Sequence, residues 1–397
     1  MPLFLPLPNP HSMYFDVVII GAGLTGASFA VALRASRYSV AVLESRPPPR
    51  PAAGWDRRVY ALSPASARFL KELGVWKHLD TTRINPVYDM EIYGDQGGRL
   101  DFSAYQTGVG ELAWIAESSL VAQELWESLN RQANITLFCP AQPTTMRIDS
   151  GEVRLSLNDG REITARLAVA ADGVDSWARE AAAISADFQP YKEKGVVANF
   201  TCSVPNRGTA FQWFRADGVL AYLPLPGNLI SIVWSTPDEN AKELMALSEQ
   251  ALCDRVEQAG QSRLGSLQLV TAPVAFPLRL MRVAQTVAPR FALIGDAAHA
   301  IHPLSGHGIN LGFQDARVLA DVLTGLASHC DCGDLRELRR YARARSEEVW
   351  ALQMATHALQ RLFLPKIEPL AWLRNLGLNL TNHLPVVREM LVRYALG

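Results

Sequence analysis

The chain has 397 residues, 49% hydrophobic and 19% charged, the balance of a globular protein with length for two or three domains and ample core. A formal net charge of -1 offers no field to attract nucleic acid, and none is expected as a partner. Five scattered cysteines (Cys139, Cys202, Cys253, Cys330, Cys332) suit a reducing compartment and inert thiols, not a disulfide framework, and no metal site is expected.

Residues 1–12, "MPLFLPLPNPHS", are proline-rich and lack a basic n-region, so they are read as a disordered extension and not a secretion signal, with Met13 an alternative start. "DVVII" (Asp16 to Ile20) is a continuous aliphatic run suited to a strand buried on both faces. A helix is predicted over Leu24 to Ser36, and "SVAVLE" forms a second strand ending at Glu44, completing a βαβ unit. Val17 to Leu33 is uncharged and close to spanning length, but its three glycines and its strand-then-helix pattern favour this buried unit over a membrane span. Ser63 to Leu73 reads as a helix opened by Ser-Pro, and "DMEIYGDQGGRLDFSA" as a hairpin. Ser118 to Gln132 is helical in pattern. Three short strands follow, turning at Asp-Ser-Gly and Asn-Asp-Gly, and the last delivers Asp172-Gly173. Strands dominate from Gly195 to Thr236, then a helix over about Asp238 to Ala259, a strand over about Ser266 to Leu280, and the strand "FALIGD". After about Arg317 the chain is essentially helical.

The expected fold is α/β: a doubly wound nucleotide-binding core, an interleaved β-sheet domain and a helical C-terminal region. The core takes residues 13–85, 111–185 and 281–345, the β-rich domain 86–110 and 186–280, and the helical region 346–397.

Gly21-Ala22-Gly23-Leu24-Thr25-Gly26 follows a strand and opens a helix, with Glu44 at the next strand end. Gly21 permits the tight turn, Gly23 the close approach of a pyrophosphate, and Gly26 close helix–strand packing; Glu44 can accept both hydroxyls of an adenosine ribose. This leaves NAD and FAD open. A second turn far downstream, Gly295-Asp296 in "LIGDAAHAIHPLSGHGINLGFQDA", decides for FAD, because an extended flavin half gives it something to hold. Asp296 would meet ribitol or phosphate-side oxygens, the backbone from Pro303 to Asn310 would line the ring, and a helix starting near Gly308 would aim its N-terminus at the flavin.

"IIGAGLTGASFAVAL…VLE", "AADGVDSWAR" and "ALIGDAAHAIHPLSGHGINLGFQDA" resemble the three signatures of the single-component FAD-dependent aromatic monooxygenases, the group with the p-hydroxybenzoate hydroxylase fold. "DRRVYALSPASARFLKELGVW", "LAWIAESSLV" and the chain's last 39 residues, from "LQRLFLPKIEP" onward, further resemble the ubiquinone-biosynthesis hydroxylase family. The resemblance implies that Gly21, Ala22, Gly23, Gly26 and Glu44 hold the ADP half of FAD. It places Arg58 near the flavin, Asp172 and Gly173 at the FAD pyrophosphate and in NAD(P)H use, and Gly295 and Asp296 at the ribityl chain. Pro303, Gly306, Gly308 and Asn310 would form the flavin-ring loop. His307 departs from the glutamine common there and reads as a solvated loop histidine.

The implied reaction is oxygen transfer from O2 to an electron-rich ring, with NAD(P)H as reductant and the chemistry at flavin C4a; no side chain is assigned as acid or base. The implied substrate is a hydrophobic aromatic small molecule, a polyprenylated phenol or quinol of ubiquinone biosynthesis. The alternatives are a hydroxylase or reductase of another aromatic or prenyl compound, or a catalytically weak FAD-bound scaffold in a quinone-synthesis complex. From Gln360 on, apolar residues recur at helical spacing beside Arg361, Lys366, Arg374, Arg388 and Arg393, so peripheral contact with the inner membrane is expected of a cytoplasmic protein. Packing on the protein's own core or in a homo-oligomer is the alternative. His299 and His302 read as helix-side hydrogen bonders; Trp213, Tyr222 and Trp234 read as sheet packing, or otherwise a substrate-pocket wall.

Overall fold

A computed structural model describes residues 12–301 and 308–363, with side chains through Met354. Strand Ser12–Ile20 is central to an eight-stranded sheet, and its aliphatic run is buried on both faces, Val17 and Ile19 in one core cluster and Val18 and Ile20 in another. The parallel ladder runs Ile135–Phe138, Val40–Leu43, Ser12–Ile20, Glu162–Ala170, Phe291–Leu293. Helices Leu24–Ala32, Ser118–Asn130 and Gly308–Thr324 contribute buried side chains to the layer on one side of this sheet. The expected first helix is therefore shorter, ending at Ala32 where the chain turns back toward Val40.

A nine-stranded sheet is built on the long strand Ala186–Cys202 and includes Thr209–Arg215, Gly218–Leu225, Leu229–Pro237 and the hairpin Asp89–Tyr93 with Arg99–Ser103. One of its faces buries Val196, Phe200, Phe211, Trp213, Tyr222 and Trp234 with side chains of the helical segment 238–259. Trp213, Tyr222 and Trp234 are thus sheet packing, and the pocket-wall alternative is excluded for them.

Two single elements expected from sequence are each two. The helix over 238–259 breaks into Asp238–Ala246 and Glu249–Ala259, because Ser248 caps the second by accepting from Ala251 N. The strand over 266–280 becomes Leu267–Leu269 and Val274–Val283. Between them Val270 and Thr271 donate backbone N–H groups to the Asn199 carbonyl. A three-stranded sheet of Val59–Leu62, Ala113–Glu117 and Asn85–Val87 links the two large sheets. The boundary drawn at 345/346 falls inside one continuous helix, Leu335–Phe363. Among the described residues no helix is long and apolar enough to cross a membrane.

Candidate cofactor cleft

Parallel register decides where the motifs meet. Leu43 pairs with Ile20, Ile20 with Ala170, and Ala170 with Leu293. The segments that follow, Glu44, Gly21, Ala171-Asp172 and Gly295-Asp296, therefore leave neighbouring strands at one carboxyl edge, where open α/β sheets bind ligands. The turns also touch. A Cβ on Gly21 (φ +99°) would lie 2.5 Å from the Ala171 carbonyl oxygen, and one on Gly26 would lie 2.0 Å from that of Gly21. Thr25 fills the gap between the two glycine turns: Cβ atoms on Gly295 and Gly312 would fall 2.9 and 2.4 Å from its Oγ1.

Gly23 stands at the N-cap of Leu24–Ala32 with no side-chain cap, and a Cβ there would meet only open space. The first-turn N–H groups, which a helix cannot pair internally, face that space. Glu44 is fixed beside the turn, its Oε2 accepting from Ala22 N at 2.8 Å and Oε1 from Ser45 N at 2.8 Å. Asp172 turns inward, accepting from Ser176 Oγ at 2.5 Å and from Ala178 N at 3.0 Å, so it shapes its turn and leaves the edge of Gly173 open. Burial nevertheless pushes its carboxyl above the ordinary range.

Asp296 is solvent-exposed, yet protein crowds it enough that desolvation raises its carboxyl, against the opposing pull of His299 and Arg58. A group both wet and crowded lies in a cleft. Its carboxylate has no hydrogen-bond partner among the described residues. These features fit FAD: an open helix N-terminus for phosphates, a fixed acid for ribose, and an unsatisfied acid for ribityl hydroxyls.

Arg58 is exposed on the segment leading into Val59–Leu62. Asp56 holds it there, Oδ1 accepting from Arg58 N at 3.0 Å and Oδ2 from Ser119 N at 3.0 Å. Sequence reading missed Tyr60, whose hydroxyl lies among Arg58, Ser118 and Asp296; burial pushes that phenol up. Asn310 spends its side chain on bracing, Nδ2 donating to Ala61 O at 2.8 Å and Oδ1 accepting from Ser63 N at 3.0 Å. Any contact with a ring there falls to backbone. Gly308 begins helix Gly308–Thr324 as expected.

His299 is corrected: it lies not on a helix side but on the two-residue strand His299–Ala300, its Nε2 2.7 Å from Asp315 Oδ2. Pro303, Gly306, His302 and His307 lie outside the described residues, as do residues 1–11 and the tail from 364.

The nine-stranded sheet turns its other face toward the three-stranded sheet. There Leu225, Ala210, Val87 and Ile115 form a cluster with Trp55, Val59, Ala61 and Leu223 around it. Leu223, Ala221 and Val233 share this face by alternation and are only half-buried, so it offers an apolar surface.

Residues 14–356 match the family model described as FAD binding domain. The chain is 31% identical over 385 residues to the 3-demethoxyubiquinol 3-hydroxylase of Escherichia coli (strain K12), covering 96% of this chain and 98% of that one. It is 32% identical over 394 residues to the ubiquinone hydroxylase UbiL of Rhodospirillum rubrum, covering 99% and 92%. Among solved structures, PqsL, a probable FAD-dependent monooxygenase from Pseudomonas aeruginosa, superimposes with a TM-score of 0.77 at 23% identity, over 92% of this chain and 99% of that one. That likeness shows a shared fold.

Proposed function

The chain belongs to the family of FAD-binding-domain monooxygenases, and from that premise we propose that it uses NAD(P)H and O2 to hydroxylate the ring of a polyprenylated phenol or quinol in ubiquinone biosynthesis. The observation that carries this reading is the direct seating of two sequence-distant glycine turns on Thr25, beside an Asp296 carboxylate with no hydrogen-bond partner among the described residues. Such a junction suits one extended dinucleotide better than two separate ligands.

Bound FAD supplies the redox and oxygen chemistry. The chain's own residues do the rest. The N–H groups after Gly23 neutralise phosphate charge, Glu44 accepts from ribose, and Asp296 accepts from ribityl hydroxyls. Arg58 and Tyr60 stand on the cleft side of Val59–Leu62, while the apolar face bearing Leu223, Ala221 and Val233 seats a hydrophobic ring and keeps water from the reacting atoms. The names of the relatives support the quinol substrate class.

Turnover under 18O2 is the test. Label in the product ring, with NAD(P)H consumed, is expected; label from water, or no flavin reduction in the presence of substrate, sinks the reading. We also assign a membrane surface to the basic, apolar tail. Trp350 and Met354 are already exposed on the helix leading into it, and deleting residues from Gln360 should move the protein out of the membrane fraction. Unchanged fractionation rejects that assignment.

A further inference from the structure

The apolar face turned toward the three-stranded sheet carries a glutamine. Along Thr209–Arg215 the side chains alternate. Phe211 and Trp213 enter the core shared with the helical segment 238–259, while Ala210 joins the cluster around Leu225 on the opposite side. Gln212 lies on the side of Ala210, away from the aromatic core. In the strand register it stands between Ile92 and Ala221, and the same row runs on through Val233 to Val197. Every one of these neighbours is aliphatic.

Gln212 is only 6% exposed, and its side-chain amide has no hydrogen-bond partner among the described residues. Burying an unpaired amide works against folding, and protein interiors pair such groups almost without exception. Local structure does not account for it, because the backbone of Gln212 is already held in ladders on both sides. Asn199 Oδ1 and Ser231 Oγ, on the same face, also lack a partner among the described residues, but they are sealed from solvent. The Gln212 amide is not among the sealed atoms. Its direct neighbours Ile92 and Ala221 are half-buried, so it sits in an apolar recess that stays open beside it.

We propose that Gln212 selects the substrate: its amide pairs with a hydroxyl on the aromatic ring seated on this face. A phenolic hydroxyl both donates and accepts, so either end of the amide can serve it. The aliphatic row around Gln212 covers the rest of the ring, the usual division of labour in a small-molecule site. The inference rests on the reading of this face as the seat of a phenol or quinol, and it deepens that reading. A ring without a hydroxyl would leave the buried amide unpaired and be rejected for that reason.

The test titrates full-length holoenzyme with ortho-prenylphenol and with prenylbenzene, its analogue without the hydroxyl. Binding is read from the change in flavin absorbance. Wild-type protein is expected to bind the phenol at least about tenfold more tightly than the hydrocarbon. Gln212→Leu should bring the two dissociation constants within about twofold, weakening the phenol and leaving or improving the hydrocarbon. Its thermal midpoint should stay at or above that of wild type, because the variant loses an unpaired buried amide. Gln212→Met, with a different apolar shape, should behave alike.

A Gln212→Leu protein that keeps the wild-type preference overturns the proposal. A midpoint well below wild type in both variants marks a structural role and overturns it too. Wild-type protein that binds both compounds equally also overturns it, while leaving the apolar seat intact. Wild-type protein that binds neither compound overturns the reading of this face as an aromatic seat along with the proposal.

Discussion

Gly26 has no room for a side chain. The atom that a Cβ would strike is the Gly21 carbonyl oxygen, 2.0 Å away, and backbone cannot rotate out of the way as a side chain can. Gly312 faces a softer obstacle, Thr25 Oγ1 at 2.4 Å. Gly26→Ala should therefore push helix Leu24–Ala32 off its strand, cost about 1–3 kcal/mol and deplete flavin. The ratio of flavin to protein absorbance and the thermal midpoint measure both effects; a yellow protein with an unchanged midpoint would refute the packing argument. The glycines were legible in sequence because their spacing encodes a local turn. Asp315 and Tyr60 were not. Each looks ordinary in its own segment, and its meaning comes from groups tens to hundreds of residues away, Arg345 and Gly295 for one, Ser118 and Asp296 for the other.

At the scale of elements, long periodic segments could be read and short bridging ones could not. Strands Val59–Leu62, Asn85–Val87 and Ala113–Glu117 span three to five residues, too few for alternation to stand out, and only their mutual pairing makes them strands. Polar "DFQPYKEK" hid the first half of Ala186–Cys202, whose register shifts between Pro190 and Glu193. The short sheet matters because Arg58 leads into its strand Val59–Leu62, and the ion pair of buried Glu117 with partly buried Arg83 fixes its edge. Glu117 is 1% exposed and bonds Arg83 Nε at 2.6 Å; Arg83 NH2 donates to Gly54 O at 2.7 Å, and its guanidinium stacks over Trp55. Arg83→Met should strand the Glu117 charge and cost about 3–5 kcal/mol, read as a lower denaturant midpoint of the holoprotein. Adding Glu117→Leu should recover much of the loss, since the penalty lies in the unpaired charge. Failure of the double variant to recover stability would place the cost elsewhere.

For the whole molecule, the question is what keeps the nine-stranded sheet aligned over the cleft. One hydrogen bond stands out: Asn199 Nδ2, from the fully buried side chain on the sheet, donates at 2.8 Å to the carbonyl of Asp56, the residue that also holds Arg58 and caps Ser118–Asn130. Meanwhile Asn199 Oδ1 is buried without a partner among the described residues. Replacing Asn199 by leucine loses a bond worth about 1 kcal/mol and removes an orphaned acceptor that costs about 1–3 kcal/mol. These changes oppose each other, so Asn199→Leu should alter stability by no more than about 1–2 kcal/mol. Its effect on function has no such offset, because the loop bearing Arg58 loses its tie to the sheet face proposed to seat the substrate. Oxygen chemistry at a misaligned ring is expected to miss its target more often. The measurement is hydrogen peroxide released per NAD(P)H oxidised, which should rise in Asn199→Leu while the thermal midpoint stays near wild type. Unchanged peroxide yield would mean that the two large sheets keep their alignment through the apolar cluster around Leu225 and Ile115 alone.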